Sequence, residues 1–310
     1  MKTRKFDKLF MSQGKIRIIW LVLLLIALIL AGEFIIVDPL GILLQRKGLE
    51  MVSGDFAFDW NSALGDSIKR MIRMILVVIF TIILLKKYSK SSLNEIGSCI
   101  NMKTLVYFVS GICLGFLIQT ISILLMSAWG YYSITGFAWE HDQYYQAGPV
   151  WLHSVCYSME TGMIEEFIFR GFLLYIFMVR YNVRVGIISS STVFALLHFS
   201  GIDNLFPWWA SIISSFLAGL VFAQAFLCVQ NIWLPVGLHF AIHLASRILG
   251  SIGLEPGNAI VLVTEVDGPI LLINTKAGGA GLFELVGYGV VSLILWFIAK
   301  RLKFRSNTKS

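Results

Sequence analysis

Eight stretches of this sequence are apolar almost without interruption. They run over about Ile18–Val37, Met71–Leu85, Leu105–Met126, Trp151–Val179, Val185–Phe199, Ile212–Val229, Ile232–Leu249 and Leu282–Ile298. A bilayer core takes ~20 helical residues to cross. The second, fifth and seventh stretches are short, and the fourth is long enough to tilt or protrude. In lipid every backbone polar group must be satisfied within the element, which leaves helices or a closed barrel. Barrel strands alternate apolar with polar residues. These runs are continuous, so helices are expected. Of 310 residues, 57% are hydrophobic and 14% charged, against about 25% charged in a soluble domain. The chain therefore reads as all-α, a polytopic membrane protein with about eight transmembrane helices. Residues 1–310 form a single membrane domain with no soluble domain, internal repeat or low-complexity tract.

The net charge of +7 sits at the ends of the apolar stretches. Lys2, Arg4, Lys5, Lys8, Lys15 and Arg17 precede the first. Lys86, Lys87 and Lys90 follow the second, Arg180 and Arg184 the fourth, and Lys300, Arg301, Lys303 and Arg305 the eighth. Clusters before the first stretch and after the second, fourth and eighth place both termini in the cytoplasm by the positive-inside bias. This distribution is a membrane signal and not a nucleic-acid one. Lys69, Arg70 and Arg73 fall on the opposite side. The first two are expected to snorkel at the interface and Arg73 to face protein. The basic start and first apolar run look like a signal peptide, but the run is too long for one, so an uncleaved helix is expected. Cys99, Cys113, Cys156 and Cys228 show no CxxC pairing, so no disulfide framework or thiol metal site is implied. Three non-cytoplasmic connections carry patterns of their own. Asp38–Arg70 is amphipathic enough to lie along the interface. Ser127–Pro149 is aromatic and acidic. Gly250–Gly281 has a hairpin signal, Ile260–Val263 and Ile270–Ile273 around Asp267-Gly268, weakened by Pro269. Trp208, Trp209 and Trp233 fit an interfacial aromatic belt.

The middle of the fourth stretch breaks the apolar rule. It reads Met163-Ile-Glu-Glu-Phe-Ile-Phe-Arg170. A charged group at bilayer depth costs at least ~2.5–3.5 kcal/mol, so three within six residues mark a functional site. Glu166 and Arg170 are four apart, with the acid first, the favourable order for a helical ion pair. Glu165 points ~100° away around the helix and has no local partner. A carboxylate isolated in an apolar site can serve as general base or acid near neutral pH. The fifth stretch supplies Phe194-Ala-Leu-Leu-His198, and the seventh His239-Phe-Ala-Ile-His243, whose two imidazoles share one helical face. Glu165, His198 and His239 make the His2Glu set of an open catalytic zinc site, with His243 as a further candidate ligand. Without a metal, Glu165 and a histidine can still hold and activate a water. Each group alone has an ordinary structural explanation as an ion pair, an interface histidine or a packing phenylalanine. All of them together, inside apolar helices, point to catalysis.

In this order the three motifs resemble the CPBP family, the CAAX prenyl protease and bacteriocin-processing (Abi-type) intramembrane proteases. Glu165, Glu166 and Arg170 match its Glu-Glu-x-x-x-Arg motif, Phe194 and His198 its Phe-x-x-x-His, and His239 its third motif. His243 stands where that motif has Asn or Asp. The resemblance covers about 151–249. It implies an intramembrane endopeptidase in which Glu165 activates water, Glu166 and Arg170 form the orienting pair, His198 and His239 hold the water or a metal, and His243 takes the oxyanion-stabilising role or adds a ligand. It also implies a membrane-associated peptide or protein substrate in a bacterial cytoplasmic membrane. The alternative is a non-catalytic scaffold of the same fold that binds a membrane partner, such as a sensor kinase or an envelope-assembly enzyme. A proton-relay transporter is a weaker third reading, because no inverted repeat is visible. One geometric tension is expected. Glu165 lies ~21 Å from the cytoplasmic end of its stretch at ~1.5 Å per residue, whereas His239 lies near the start of its own.

Overall fold

The computed structural model describes residues 36–46, 60–89, 96–141, 147–198, 208–252, 259–269, 271–273 and 281–307, with scattered positions before residue 33. Much of the first expected span lies outside the described residues. Two short strands, β1 (Met11–Ser12) and β2 (Lys15–Ile16), pair antiparallel near the start. The described helices are α1 (Asp38–Arg46), α2 (Trp60–Ser89), α3 (Met102–Ala128), α4 (Ala138–His141), α5 (Ala147–Glu166), α6 (Tyr175–Arg180), α7 (Val183–Leu197), α8 (Trp208–Val229), α9 (Trp233–Leu249) and α10 (Leu282–Asn307). A π-helical stretch, Phe167–Leu174, joins α5 to α6 without a break. The fourth apolar stretch is thus one composite rod.

Three described helices are long and apolar enough to cross a membrane: α3, α8 from Trp209, and α10 as far as Arg301. α7 is a shorter apolar helix. The protein is an integral membrane protein built mainly from helices. α9 is the central rod. It packs most extensively on α3 and also against α5 and α8. Every residue from Leu234 to Ile242 is buried. Around it lie Ile118, Phe172, Leu173, Phe194, Phe222 and Leu238, the main apolar core.

Small residues let α3 and α9 approach this closely. α3 carries Gly111-x-x-x-Gly115, the spacing that brings helix backbones together in lipid. A Cβ on Gly115 would sit 2.6 Å from the Leu238 carbonyl oxygen, and one on Gly237 would enter the Phe108 carbonyl. Backbone cannot move aside as a side-chain tip can. Gly237→Val is therefore expected to cost more than the ~1–3 kcal/mol of ordinary overpacking. A monodisperse detergent-solubilised Gly237→Val protein with the wild-type melting temperature would contradict the packing.

Local signals set the helix ends. Asn101 caps α3 through its side chain, which accepts from Lys103 N and Thr104 N, and Asn101 N donates in return to Thr104 Oγ1. Asn182 caps α7 by accepting from Val185 N at 3.0 Å. Gly250 ends α9 in the left-handed region, φ 64°, where glycine is the least strained residue. Thr264 donates to the Gly250 carbonyl at 2.7 Å. A small sheet covers this end of α9. β3 (Tyr132–Phe137) and β4 (Leu262–Val266) pair antiparallel, with an irregularity between Ile134 and Gly136. The Tyr132 hydroxyl donates to the Leu249 carbonyl at 2.5 Å. Burial pushes that phenol up to about 12, so it stays a donor at any physiological pH.

Three local expectations need correction. Among the described residues, the Gly250–Gly281 connection shows no pairing of its two runs as a hairpin. Its first run pairs instead with β3, from a different connection, and Leu271–Ile273 forms a turn in which the Pro269 carbonyl accepts from Leu272 N and Ile273 N. Pro269 has no N–H to give a ladder, so the second run loses to β3. The Asp38–Arg70 connection is not all interfacial. α2 begins at Trp60, eleven positions before Met71, and carries Asp66, Lys69 and Arg70 within it. Lys69 reaches Asp38 at 3.3 Å. Arg70 does not snorkel: its side chain is 14% exposed and bound to Asp66 and Glu160. Arg73 faces protein as expected, 2.8 Å from Glu160.

Candidate active site

The site forms where the α5–π junction, the end of α7 and the middle of α9 meet. Glu165 and Glu166 are the last residues of α5. Their side chains diverge, as neighbours on a helix must, and the imidazole of His239 lies between them. Glu166 Oε1 is 2.9 Å from His239 Nδ1, and Glu165 Oε2 is 3.8 Å from His239 Nε2. His198 caps the end of α7 and puts its Nε2 3.7 Å from the same Glu165 oxygen. His243, one turn along α9, puts its Nε2 3.2 Å from His239 Nε2.

Glu166 and Arg170 form the expected ion pair at 2.8 Å, with side chains 0% and 1% exposed. Arg170 also donates to the Gly219 carbonyl on α8 at 3.1 Å. Its guanidinium stands 4.8 Å from the ring centroids of both Phe194 and Phe222. A dry arginine is held here by a carboxylate, a carbonyl and two π faces, each of which offsets part of its desolvation. The π stretch begins directly after Glu166. Such widenings cluster at functional sites. Phe222 stacks flat on His239 at 4.6 Å and 11°. Phe194 packs on His198 at 4.3 Å. The phenylalanine of the second motif thus braces both its own histidine and Arg170.

The hydrogen bonds assign the tautomers. A carbonyl only accepts, so His198 Nδ1, 2.8 Å from the Phe194 oxygen, carries its proton and leaves Nε2 with a lone pair. Glu166 Oε1 accepts from Arg170, so it serves as an acceptor and His239 Nδ1 donates to it. The neutral ring then has a lone pair at Nε2, and His243 donates to that atom through Nε2–H. Glu165 Oε2 and the free Nε2 lone pair of His198 therefore face one another, with the His239 Nε2, engaged by His243, beside them. The gaps of 3.7 and 3.8 Å are too long for direct hydrogen bonds and suit a shared donor between them. Glu165 is 22% exposed and His198 33%, whereas Glu166 is closed off. The first acid has a partly exposed side chain whose Oε2 is itself buried, and the second lies in the core.

The helices come level without the tension expected from the sequence. Glu165 Oε2 lies within 3.8 Å of the Nε2 atoms of both His198 and His239. As for zinc, the donor types of Glu165, His198, His239 and His243 suit it. As placed, however, no three His, Cys, Asp or Glu side chains among the described residues are gathered closely enough to hold a metal ion. His243 also occupies the lone pair that His239 would have to offer.

A second polar ladder runs between α2 and α5, and the sequence reading missed it. His153 Nδ1 lies 2.9 Å from Asp66 Oδ2. Arg70 binds Asp66 and Glu160 and covers the Tyr157 ring at 4.9 Å. Arg73 binds Glu160. The spacings 66-70-73 and 153-157-160 put each set on one helical face. His153 and Glu160 lie in the same apolar stretch as Glu165, so a count of polar residues along that stretch finds them. On the other side Tyr157 meets His243 edge-on at 5.8 Å and Arg247 at 4.5 Å.

Residues 147–245 match the family model described as Rce1-like, type II CAAX prenyl endopeptidase. No curated protein and no solved structure matches the chain. The matched segment contains α5, the π stretch, α6, α7, α8 and most of α9, the elements that carry the clustered glutamates and histidines. Over that segment, about a third of its length, the chain is similar to the CAAX-type (CPBP) family of intramembrane proteases.

Proposed function

We propose that this protein is an active intramembrane endopeptidase that hydrolyses a membrane-associated peptide with a water activated by Glu165. The observation that supports this best is the convergence of Glu165 Oε2 with the Nε2 atoms of His198 and His239 at 3.7 and 3.8 Å. A water there donates one hydrogen to Glu165 and the other to an imidazole lone pair. Its own lone pair is left for the substrate carbonyl. As the C–O bond forms, Glu165 takes the proton. Glu165 then returns it to the leaving nitrogen as the C–N bond breaks, which leaves one carboxylate and one amine. Glu166 and Arg170 fix the His239 tautomer and take no proton. His243 turns its Nε2–H from His239 to the developing oxyanion, the task of the amide or acid that the family motif has there. No step is routed through a metal. The eight-crossing arrangement, cytoplasmic termini and bacterial cytoplasmic membrane are parts of this proposal.

His243→Asn tests the reading. A donor replaces a donor, so purified protein carrying the change should cleave at the wild-type rate or faster. Under the zinc alternative the same variant loses both metal, measured by elemental analysis, and activity. Loss of activity with no zinc in either protein would defeat the oxyanion role.

A further inference from the structure

The buried pair of Glu166 and Arg170 is joined at a single point. Glu166 Oε1 accepts from Arg170 Nη1 at 2.8 Å and from His239 Nδ1 at 2.9 Å. Arg170 Nη2 donates to the Gly219 carbonyl at 3.1 Å. A two-point fork would engage both carboxylate oxygens. Here Glu166 Oε2 and Arg170 Nε are buried with no hydrogen-bond partner among the described residues, and so is Ser191 Oγ on α7. Ser191 and Arg170 are each 1% exposed and Glu166 0%. The three residues meet at one place. Ser191, Phe194 and His198 are spaced three and four apart, so they share the face of α7 that meets the site. Phe194 stacks on the Arg170 guanidinium at 4.8 Å. Ser191 also abuts Gly219 on α8, where a Cβ would stand 3.0 Å from Ser191 Cβ and 3.2 Å from its Oγ. Phe194 and Gly219 both touch the guanidinium, and Ser191 neighbours both.

A buried polar atom without a partner is costly, and three at one place call for a ligand. Ordered water satisfies such groups inside proteins, with about three hydrogen bonds per molecule. A donor, an acceptor and a hydroxyl match that valence. We propose that Arg170 Nε, Glu166 Oε2 and Ser191 Oγ hold one buried water on the core side of the second acid. The water accepts from Arg170 Nε–H and donates to Glu166 Oε2 and Ser191 Oγ. It is separate from the reacting water, which belongs to Glu165 Oε2. On the protease reading given above, Ser191 is then a positioning residue. It acts through the water on Glu166, and through Glu166 on His239. With a donor on each oxygen, Glu166 cannot swing away, and its Oε1 stays on His239 Nδ1–H. The imidazole is thereby kept in one tautomer, with its Nε2 lone pair beside Glu165.

The test compares full-length wild type in detergent with Ser191→Ala, which removes the hydroxyl and adds no volume beside Gly219. An experimental structure at a resolution that shows ordered waters should place one at ~2.7–3.2 Å from each of the three atoms in the wild type. In Ser191→Ala that water should be lost or disordered. Nitrogen NMR of selectively labelled histidine, with the His239 signals identified by their loss in His239→Gln, reads the tautomer. The wild type should show the Nδ1–H form alone and Ser191→Ala a mixture. For an apolar peptide that the wild type cleaves, Ser191→Ala should lower kcat about three- to tenfold, the scale of one hydrogen bond, with KM within about twofold. Direct protein partners on Glu166 Oε2 and Arg170 Nε, with no water between them, overturn the site. A lower melting temperature with tautomer and kcat unchanged overturns the positioning role. The structure and the NMR need no cleavage. A water at the three atoms and a tautomer that depends on Ser191, in a wild type that cuts no peptide, uphold the site and reject the protease reading instead.

Discussion

Glu165→Gln is expected to yield a folded protein that cleaves at least ~100-fold more slowly than the wild type, the lower end of what a positioned general base contributes. Gln keeps the shape of the side chain and its capacity for hydrogen bonds but has no basic oxygen for a proton. The fold should tolerate the change because Glu165 makes no ion pair shorter than 3.7 Å. It is also partly exposed, and the buried architecture runs through Glu166. Rates of peptide hydrolysis by purified protein, read beside thermal unfolding of the same samples, check both halves. Cleavage at the wild-type rate would remove Glu165 from the mechanism.

Arg170→Ala is the opposite case. The change should destabilise the protein by about 3–5 kcal/mol, the cost of breaking a buried pair and leaving one charge behind. It strands Glu166, which is fully buried, and frees the Gly219 carbonyl and two aromatic faces from their cation. His239 loses its fixed tautomer as well, so activity should fall with stability. Thermal unfolding in detergent should place Arg170→Ala well below Glu165→Gln. Equal melting temperatures would mean that Glu166 is stabilised by something other than Arg170.

The comparison of these two glutamates shows how far the sequence could be read. Charges in an apolar stretch are conspicuous because lipid penalises them, so Glu165, Glu166 and Arg170 stood out, and helical spacing alone paired the last two. The histidines of α7 and α9 were found for the same reason. Spacing within a helix says nothing about which imidazole crosses to which carboxylate. Hence the bond from His239 to Glu166, which fixes the tautomer, was not anticipated. The π stretch was hidden too, because its residues are ordinary helix residues. The hairpin signal in Gly250–Gly281 was a real strand signal with the wrong partner. A run such as Leu262–Val266 pairs with whatever edge the fold brings to it, and the packing of α3 on α9 brings β3. Arg70 was assigned to the interface because its acceptor Glu160 is 90 positions away.

The central claim is that Glu165 makes this protein a protease and that it is not a silent scaffold of the same fold. The most direct measurement compares peptide termini in native membranes from cells that express the wild type with those from cells expressing Glu165→Gln at equal abundance. New termini in or beside membrane segments should be present with the wild type and absent with the variant. Identical termini in the two, with any cellular phenotype of the protein retained by Glu165→Gln, would contradict the account and leave a binding scaffold.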